Sequence, residues 1–247
     1  MTAMLQALSG RVAGEALDAG CGDGETGRRI VEVMTGLSRL VLLDQDQTAL
    51  DEARDQFVGL EARVACEYLV GDVMALPVAD ALFDTVLLND VLHHTAAPRQ
   101  AVRECVRVLK PGGLLVVSEM VCDGLSPAEE VGRDLHHLKS AVDRLHGVPH
   151  GPTLPQRQIE QMLALAELKI EWSELERSAP HDPATDAGRE QIAARLEFLE
   201  TYLEHVDGSS GYAALRREAL FLRFRMERLG FALAPELRIV ASRAPVH

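Results

Sequence analysis

The sequence predicts an α/β protein built on a doubly wound, mostly parallel seven-stranded sheet. Three observations lead there. Short apolar runs alternate with stretches of helical period through the first 120 residues. The apolar runs lack an in–out alternation, as expected of strands covered by helices on both faces. A glycine-rich turn, "GCGDGETG", follows the first run directly, where such sheets bind ligands. With 47% hydrophobic and only 4% aromatic residues among 247, the core is expected to be sizeable and aliphatic.

The elements follow in order. "EALDA" reads as a buried first strand and residues 24–36 as a helix. "RLVLLD" is the second strand, with a helix from about Gln47 to Val58 behind it. "VACEYLVGD" and "LFDTVLLND" are the third and fourth strands. "PRQAVRECVRVLK" is a helix, and "GLLVVSEM" is the fifth strand, entered through a turn at "KPGG". Helical crossovers between such strands make the sheet parallel.

The second half reads as mostly helical. Val131, Leu135, Leu138, Val142 and Leu145 recur at helical spacing before the breaker "GVPHGP". Thr153, with Gln156 three positions on, is expected to cap a helix reaching about Leu168. "LKIEWSEL" is a sixth strand and "SAPHDPATD" a proline-punctuated linker. Two helical seams follow, Ile192, Leu196, Leu199, Leu203 and Val206, then Leu215, Ala219, Leu222, Met226 and Leu229. The turn "HVDGSSGY" separates them, and their opposite charge favours an antiparallel, self-paired hairpin. "ELRIVASR" closes the sheet as a seventh strand.

Charge and composition narrow the function. Against 25 basic residues stand 38 acidic ones, a net charge of −13, which disfavours nucleic acid as a partner. The amino-terminal stretch lacks the pattern of a signal peptide, and no run of about 18 apolar residues suits a membrane span. Four scattered cysteines, Cys21, Cys66, Cys105 and Cys122, fit a reduced, cytoplasmic protein. His136, His137, His146 and His150 cluster in sequence without metal-ligand spacing, so no metal site is expected. The helix that carries the first two is expected to cover a pocket.

The glycine turn supports two registers. From Gly22, "GDGETG" fits the dinucleotide fingerprint G-x-G-x-x-G, which implies a nicotinamide cofactor and an oxidoreductase. From Asp18, "DAGCGDG" fits the D-x-G-x-G-x-G turn of S-adenosylmethionine sites. The strand ends near Asp18 and Ala19, so the strand-adjacent glycine is Gly20, and counting from it puts bulky Glu25 at the third fingerprint position. A carboxylate at the end of a buried strand also needs a partner. The register favours the methyl donor; the dinucleotide reading stays as the alternative.

Four separated pieces in order, "LDAGCGDGETG", "LLDQD", "GDVMALPVADALFDTVLLNDVLHH" and "LKPGGLLVVSE", carry a resemblance that covers roughly residues 12 to 120. Through them the chain resembles the class I S-adenosylmethionine-dependent methyltransferases, in the branch of the ubiquinone/menaquinone-biosynthesis C-methyltransferases. The resemblance implies a Rossmann-like methyltransferase fold and transfer of a methyl group to a small-molecule acceptor by in-line displacement. It implies that Gly20 and Gly22 approach the methionine end and that Asp18 anchors the amino group. Asp44, with Gln45 beside it, then meets the ribose. Asp72 accepts from adenine N6, Val73 flanks that ring, and Asn89 meets the methionine moiety. His93 and His94 follow the fourth strand, and His94 is the candidate general base, with the histidines of 136–150 as others to test.

The expected organisation is a single methyltransferase domain over 1–247. A cofactor-binding core spans 1–120, substrate-side helices and strand six span 121–176, a helical hairpin spans 177–232, and the last strand and tail span 233–247. The hairpin stands where relatives usually have a short link, as an α-helical insertion between strands six and seven. It is expected to close over the acceptor pocket or to form a homodimer contact. Where relatives often carry a glycine–aromatic pair before strand six, this chain has "AELKI". A cofactor-binding regulatory module without turnover is the remaining alternative.

Overall fold

The apolar runs pair into one sheet. A computed structural model describes residues 2–60 and 64–245. Its elements are α1 (Thr2–Leu8), β1 (Glu15–Ala19), α2 (Glu25–Val33), β2 (Arg39–Asp44), α3 (Gln47–Phe57), β3 (Ala65–Val70) and β4 (Phe83–Asn89). They continue with α4 (Pro98–Val108), β5 (Leu109–Met120), α5 (Pro127–Leu145), α6 (Gln156–Leu165) and β6 (Leu168–Glu176). The last are α7 (Asp186–Glu204), α8 (Tyr212–Leu229) and β7 (Glu236–Arg243). The strand order is β3-β2-β1-β4-β5-β7-β6, and β3, β2, β1, β4 and β5 run parallel. The order reverses between β1 and β4, which opens a crevice beyond their carboxyl ends. Register places Asp18 opposite both Leu42 and Leu87, so Asp18, Asp44 and Asn89 gather at one end of three neighbouring strands.

Side-chain chemistry explains the elements. Leu17, Leu42, Leu43, Leu87 and Leu88 are completely buried, as the unbroken apolar runs require. Asp46 caps α3 by accepting from the Thr48 N–H, and Pro98 opens α4, where its missing N–H costs nothing. Two local expectations are corrected. "KPGG" is not a turn before β5 but a bulge inside it, because Phe83 pairs with Leu109 and Thr85 with Leu114. Gly112 takes φ +79 there, a conformation that needs glycine. Thr153 stands two positions before the cap of α6: its hydroxyl meets His137 Nε2 at 3.0 Å, while the N–H of Gln156, which starts α6, donates to Asp123. α6 stops at Leu165, short of Glu167 at φ +59.

The chain divides into two compact units. One comprises Met1–Glu119, Arg157–Leu175 and Leu237–His247, and it holds the sheet. The other comprises Met120–Gln156 and Glu176–Glu236 and is helical. Within the helical unit α7 and α8 do pair, but α5 packs against both. Val131, Leu138 and Val142 share one apolar cluster with Ile192, Leu203, Leu222 and Met226. The apolar face of α5 is thus the third wall of a bundle. Leu145 and Leu229, at 46% and 40% exposure, leave their seams. The ion pairs divide likewise: Arg216 bonds Glu200 across the hairpin, while Arg225 turns to Glu130 and Asp134 of α5. Ser126 and Glu129 close a capping box at the start of α5, a signal the sequence reading passed over. Among the described residues no helix is long and apolar enough to cross a membrane.

Candidate active site

The turn after β1 is shaped by the residues around it. Gly20, Gly22 and Gly24 all take positive φ, at +78, +52 and +80. The N–H groups of Gly20 and Cys21 donate to the Leu43 carbonyl at 2.7 and 2.9 Å. Asp44 Oδ2 accepts from the Gly22 N–H at 2.9 Å, and Oδ1 from the Asp46 N–H at 3.0 Å. One carboxylate therefore ties the glycine turn to the end of β2. A side chain at Gly20 would meet Val91 at 2.6 Å, whereas the space beside Gly22 is open. That opening leaves the backbone approachable, as a ligand lying along the turn requires.

Asp18 is 1% exposed, and neither oxygen has a hydrogen-bond partner among the described residues. Burial, then the charges of Asp44 and Asp23, push its carboxyl up from 3.8 to about 7. An unpaired buried acid of this kind is costly unless a cation meets it. Gly27 makes the arrangement possible, because a Cβ there would lie 1.8 Å from Asp18 Oδ2. The part of Gly27 is to leave room for the carboxylate. Both amide atoms of Asn89, and Thr85 Oγ1, are likewise buried without partners.

The remaining sequence-predicted residues line up along the carboxyl ends of β2 and β3. Gln45 is exposed next to Asp44, and Asp72 is exposed just after β3. Asp72 Oδ1 accepts from the Met74 N–H at 2.7 Å and caps the 3₁₀ turn Val73–Ala75, in which Val73 is buried. Cys21 lies in the turn, but burial and the charges of Asp18 and Asp44 raise its thiol pKa strongly, so it stays protonated. It is no nucleophile.

Behind Asn89 the chain makes a second 3₁₀ turn, Leu92–His94. Glu119, fully buried near the end of β5, holds this turn from two points. Its Oε2 accepts from the Leu92 N–H at 2.9 Å, and its Oε1 is hydrogen-bonded to His93 Nδ1. His93 is buried, and the half-buried ring of His94 lies 4.3 Å from it. Glu119 was missed from the sequence, although an acid inside "LLVVSEM" obeys the rule that singled out Asp18. In the helical unit, His136 and His150 come together and His137 bonds Thr153, while His146 ends up at the C-cap of α5.

A cationic amino acid joined to a nucleoside fits this donor set. Asp18 and Asn89 offer buried polar atoms without partners among the described residues. The carboxylates of Asp44 and Asp72 stand at the ends of the neighbouring strands β2 and β3. Comparison with known proteins agrees. Residues 17–117 match a family model described as a methyltransferase domain. A ubiquinone/menaquinone biosynthesis C-methyltransferase of Roseobacter denitrificans is 32% identical over 117 residues, 47% of this chain and 46% of that protein. An uncharacterized protein in a Streptomyces fradiae transposon is 37% identical over 133 residues, 53% of this chain and 38% of that protein. The chain thus spans less than half the length of either relative. A 27-O-demethylrifamycin SV methyltransferase of Amycolatopsis mediterranei is 27% identical over 85% of this chain and 73% of that protein. Among solved structures, a putative methyltransferase from Bacillus halodurans superposes with a TM-score of 0.62 at 18% identity, covering 99% of this chain and 98% of that one. That likeness shows the fold.

Proposed function

We propose that this chain, a member of the class I S-adenosylmethionine-dependent methyltransferases of the ubiquinone/menaquinone type, methylates a small-molecule acceptor at carbon or oxygen. The observation that carries the reading is Asp18, a buried carboxylate just before the glycine turn with no hydrogen-bond partner among the described residues. When bound, S-adenosylmethionine supplies a methyl group activated by its sulfonium charge. Asp18 holds the amino group, and Asn89 meets the same end. Asp44, with Gln45, holds the ribose hydroxyls, Asp72 accepts from the adenine amino group, and Val73 packs on the ring. Positioning is the main contribution such a site makes.

A base is needed only where the acceptor must lose a proton. His94 takes that role in this proposal. Glu119 acts through it, since it pins Leu92 and His93 and so fixes the turn on which His94 rides. The relatives named for C-methylation in ubiquinone/menaquinone biosynthesis and for methylation of 27-O-demethylrifamycin SV support an acceptor methylated at carbon or oxygen. A cytoplasmic location and exclusion of nucleic acid belong to the same reading, from the net charge of −13. So does a homodimer contact through Leu220, Phe221 and Phe224, which α8 leaves exposed.

Calorimetric titration with S-adenosylhomocysteine and with NAD tests the cofactor. Binding of the first and not the second is expected; the reverse overturns the proposal. Transfer of a labelled methyl group to a panel of quinols, phenols and polyketides then separates an enzyme from a module that only binds.

A further inference from the structure

The pairing of His136 and His150 points beyond methyl transfer. Both belong to the helical unit, His136 on α5 and His150 within the breaker that follows it. Their Nε2 atoms lie 3.0 Å apart, with the rings edge to face at 4.8 Å. His150 is 2% exposed and held from two sides. Its carbonyl accepts from Ser140 Oγ at 2.7 Å and from Arg144 Nη1 at 2.6 Å, and its Nδ1 lies 2.6 Å from Asp143 Oδ2.

Asp143 is held by three side chains: Tyr202 Oη donates to Oδ1, while Lys139 Nζ at 2.9 Å and His150 Nδ1 at 2.6 Å share Oδ2. With a carboxylate oxygen at Nδ1, Nε2 is the nitrogen of His150 that faces His136. A carboxylate behind the far nitrogen of a buried imidazole is the support that metal-ligating histidines require. The spacing suits as well. With metal–nitrogen bonds of about 2.0–2.1 Å, neighbouring ligands at angles of 90–109° stand about 2.9–3.4 Å apart.

We propose that His136 and His150 form a seat for one divalent transition metal ion of the Zn²⁺ class, bound through both Nε2 atoms and backed by Asp143. Two protein ligands leave positions for water or for an anionic oxygen. Spacing rules missed the pair because its members are fourteen positions apart and meet only through the turn at 146–150. The proposal uses none of the residues assigned to the cofactor, so its failure would leave the methyltransferase reading standing.

The test uses the full chain, stripped with chelator and titrated with Co²⁺ alone. Visible ligand-field absorption and bound metal after gel filtration are read, without any assay of turnover. One equivalent per chain is expected, displaced by Zn²⁺. His136→Gln, at a half-buried position and able to keep a hydrogen bond, should weaken binding at least tenfold. Asp143→Asn should weaken it about 10- to 100-fold, the usual effect of losing such a partner. His150→Ala should abolish it, and if that variant fails to fold, His136→Gln decides alone. Absence of a cobalt spectrum in the parent, the result expected if the two rings merely share a hydrogen bond, overturns the proposal. So does unchanged binding in His136→Gln.

Discussion

Replacing Asp18 with asparagine separates stability from function in a way the structure makes quantitative. The carboxyl titrates near 3.8 in an unfolded chain and about 7 in the fold, mostly because it is buried. At about 1.4 kcal/mol per tenfold change, that gap is about 4 kcal/mol of stability withheld at neutral pH. The sign follows from the raised value. Below about 4 both states are protonated and nothing is lost. As pH rises, the unfolded chain releases its proton first, and stability drains until about pH 7, where the fold also ionises. Asparagine removes this titration at nearly constant shape. Urea denaturation of both proteins without cofactor should therefore show the variant gaining on the parent by about 3 kcal/mol between about pH 5 and pH 8. The same variant should bind S-adenosylhomocysteine about 10- to 150-fold more weakly, from a lost charge-assisted bond of about 1.5–3 kcal/mol. In the parent, affinity should climb with pH to about 7 and then level off. A stability difference independent of pH, or undiminished affinity in the variant, would refute the argument.

Three further outcomes follow from the same site. Gly27→Ala ordinarily favours a helix by about 1 kcal/mol, but a methyl group 1.8 Å from Asp18 Oδ2 should destabilise the protein and cut S-adenosylhomocysteine affinity tenfold or more; calorimetry showing parental affinity would remove Gly27 from the site. Asp44→Ala should weaken the cofactor by about 1.5–3 kcal/mol, and a folded variant that binds like the parent would show the ribose assignment to be wrong. Glu119→Gln should lower kcat and move the acid limb of the pH profile while cofactor affinity stays within about twofold. An unmoved profile would make Glu119 a core residue only.

The sheet was legible because its strands are apolar throughout, and Asp18, Asp44, Asp72 and Asn89 because each ends a strand or begins the turn after it. Glu119 was equally visible as an acid inside an apolar run, but the motif ended there and drew no role from it. Gly27 was hidden for another reason: spacing locates a glycine yet says nothing of the atom 1.8 Å from its missing side chain. The α5 seam reads the same whether it lies over a ligand or in a bundle, since periodicity gives a face and not its partner. "KPGG" suits a bulge as well as a turn. The meeting of His136 and His150 depends on where a glycine–proline breaker sends the chain, which no local rule specifies.

The interleaving of the two units constrains how the protein is made. The chain passes between them after residues 119, 156, 175 and 236. β7, the neighbour of β5 on one side and β6 on the other, comes from the last dozen residues or so. During synthesis, β5 therefore waits with an unpaired edge while more than a hundred residues, including all three long helices, are still to emerge. Such an edge is a template for pairing with a second chain, and closing it late is slow, because the contacts that reward closure are distant in sequence. Yield of this protein should therefore respond more to expression temperature and chaperone supply than its equilibrium stability alone suggests, and a premature stop before residue 236 should leave an aggregating sheet rather than a soluble fragment.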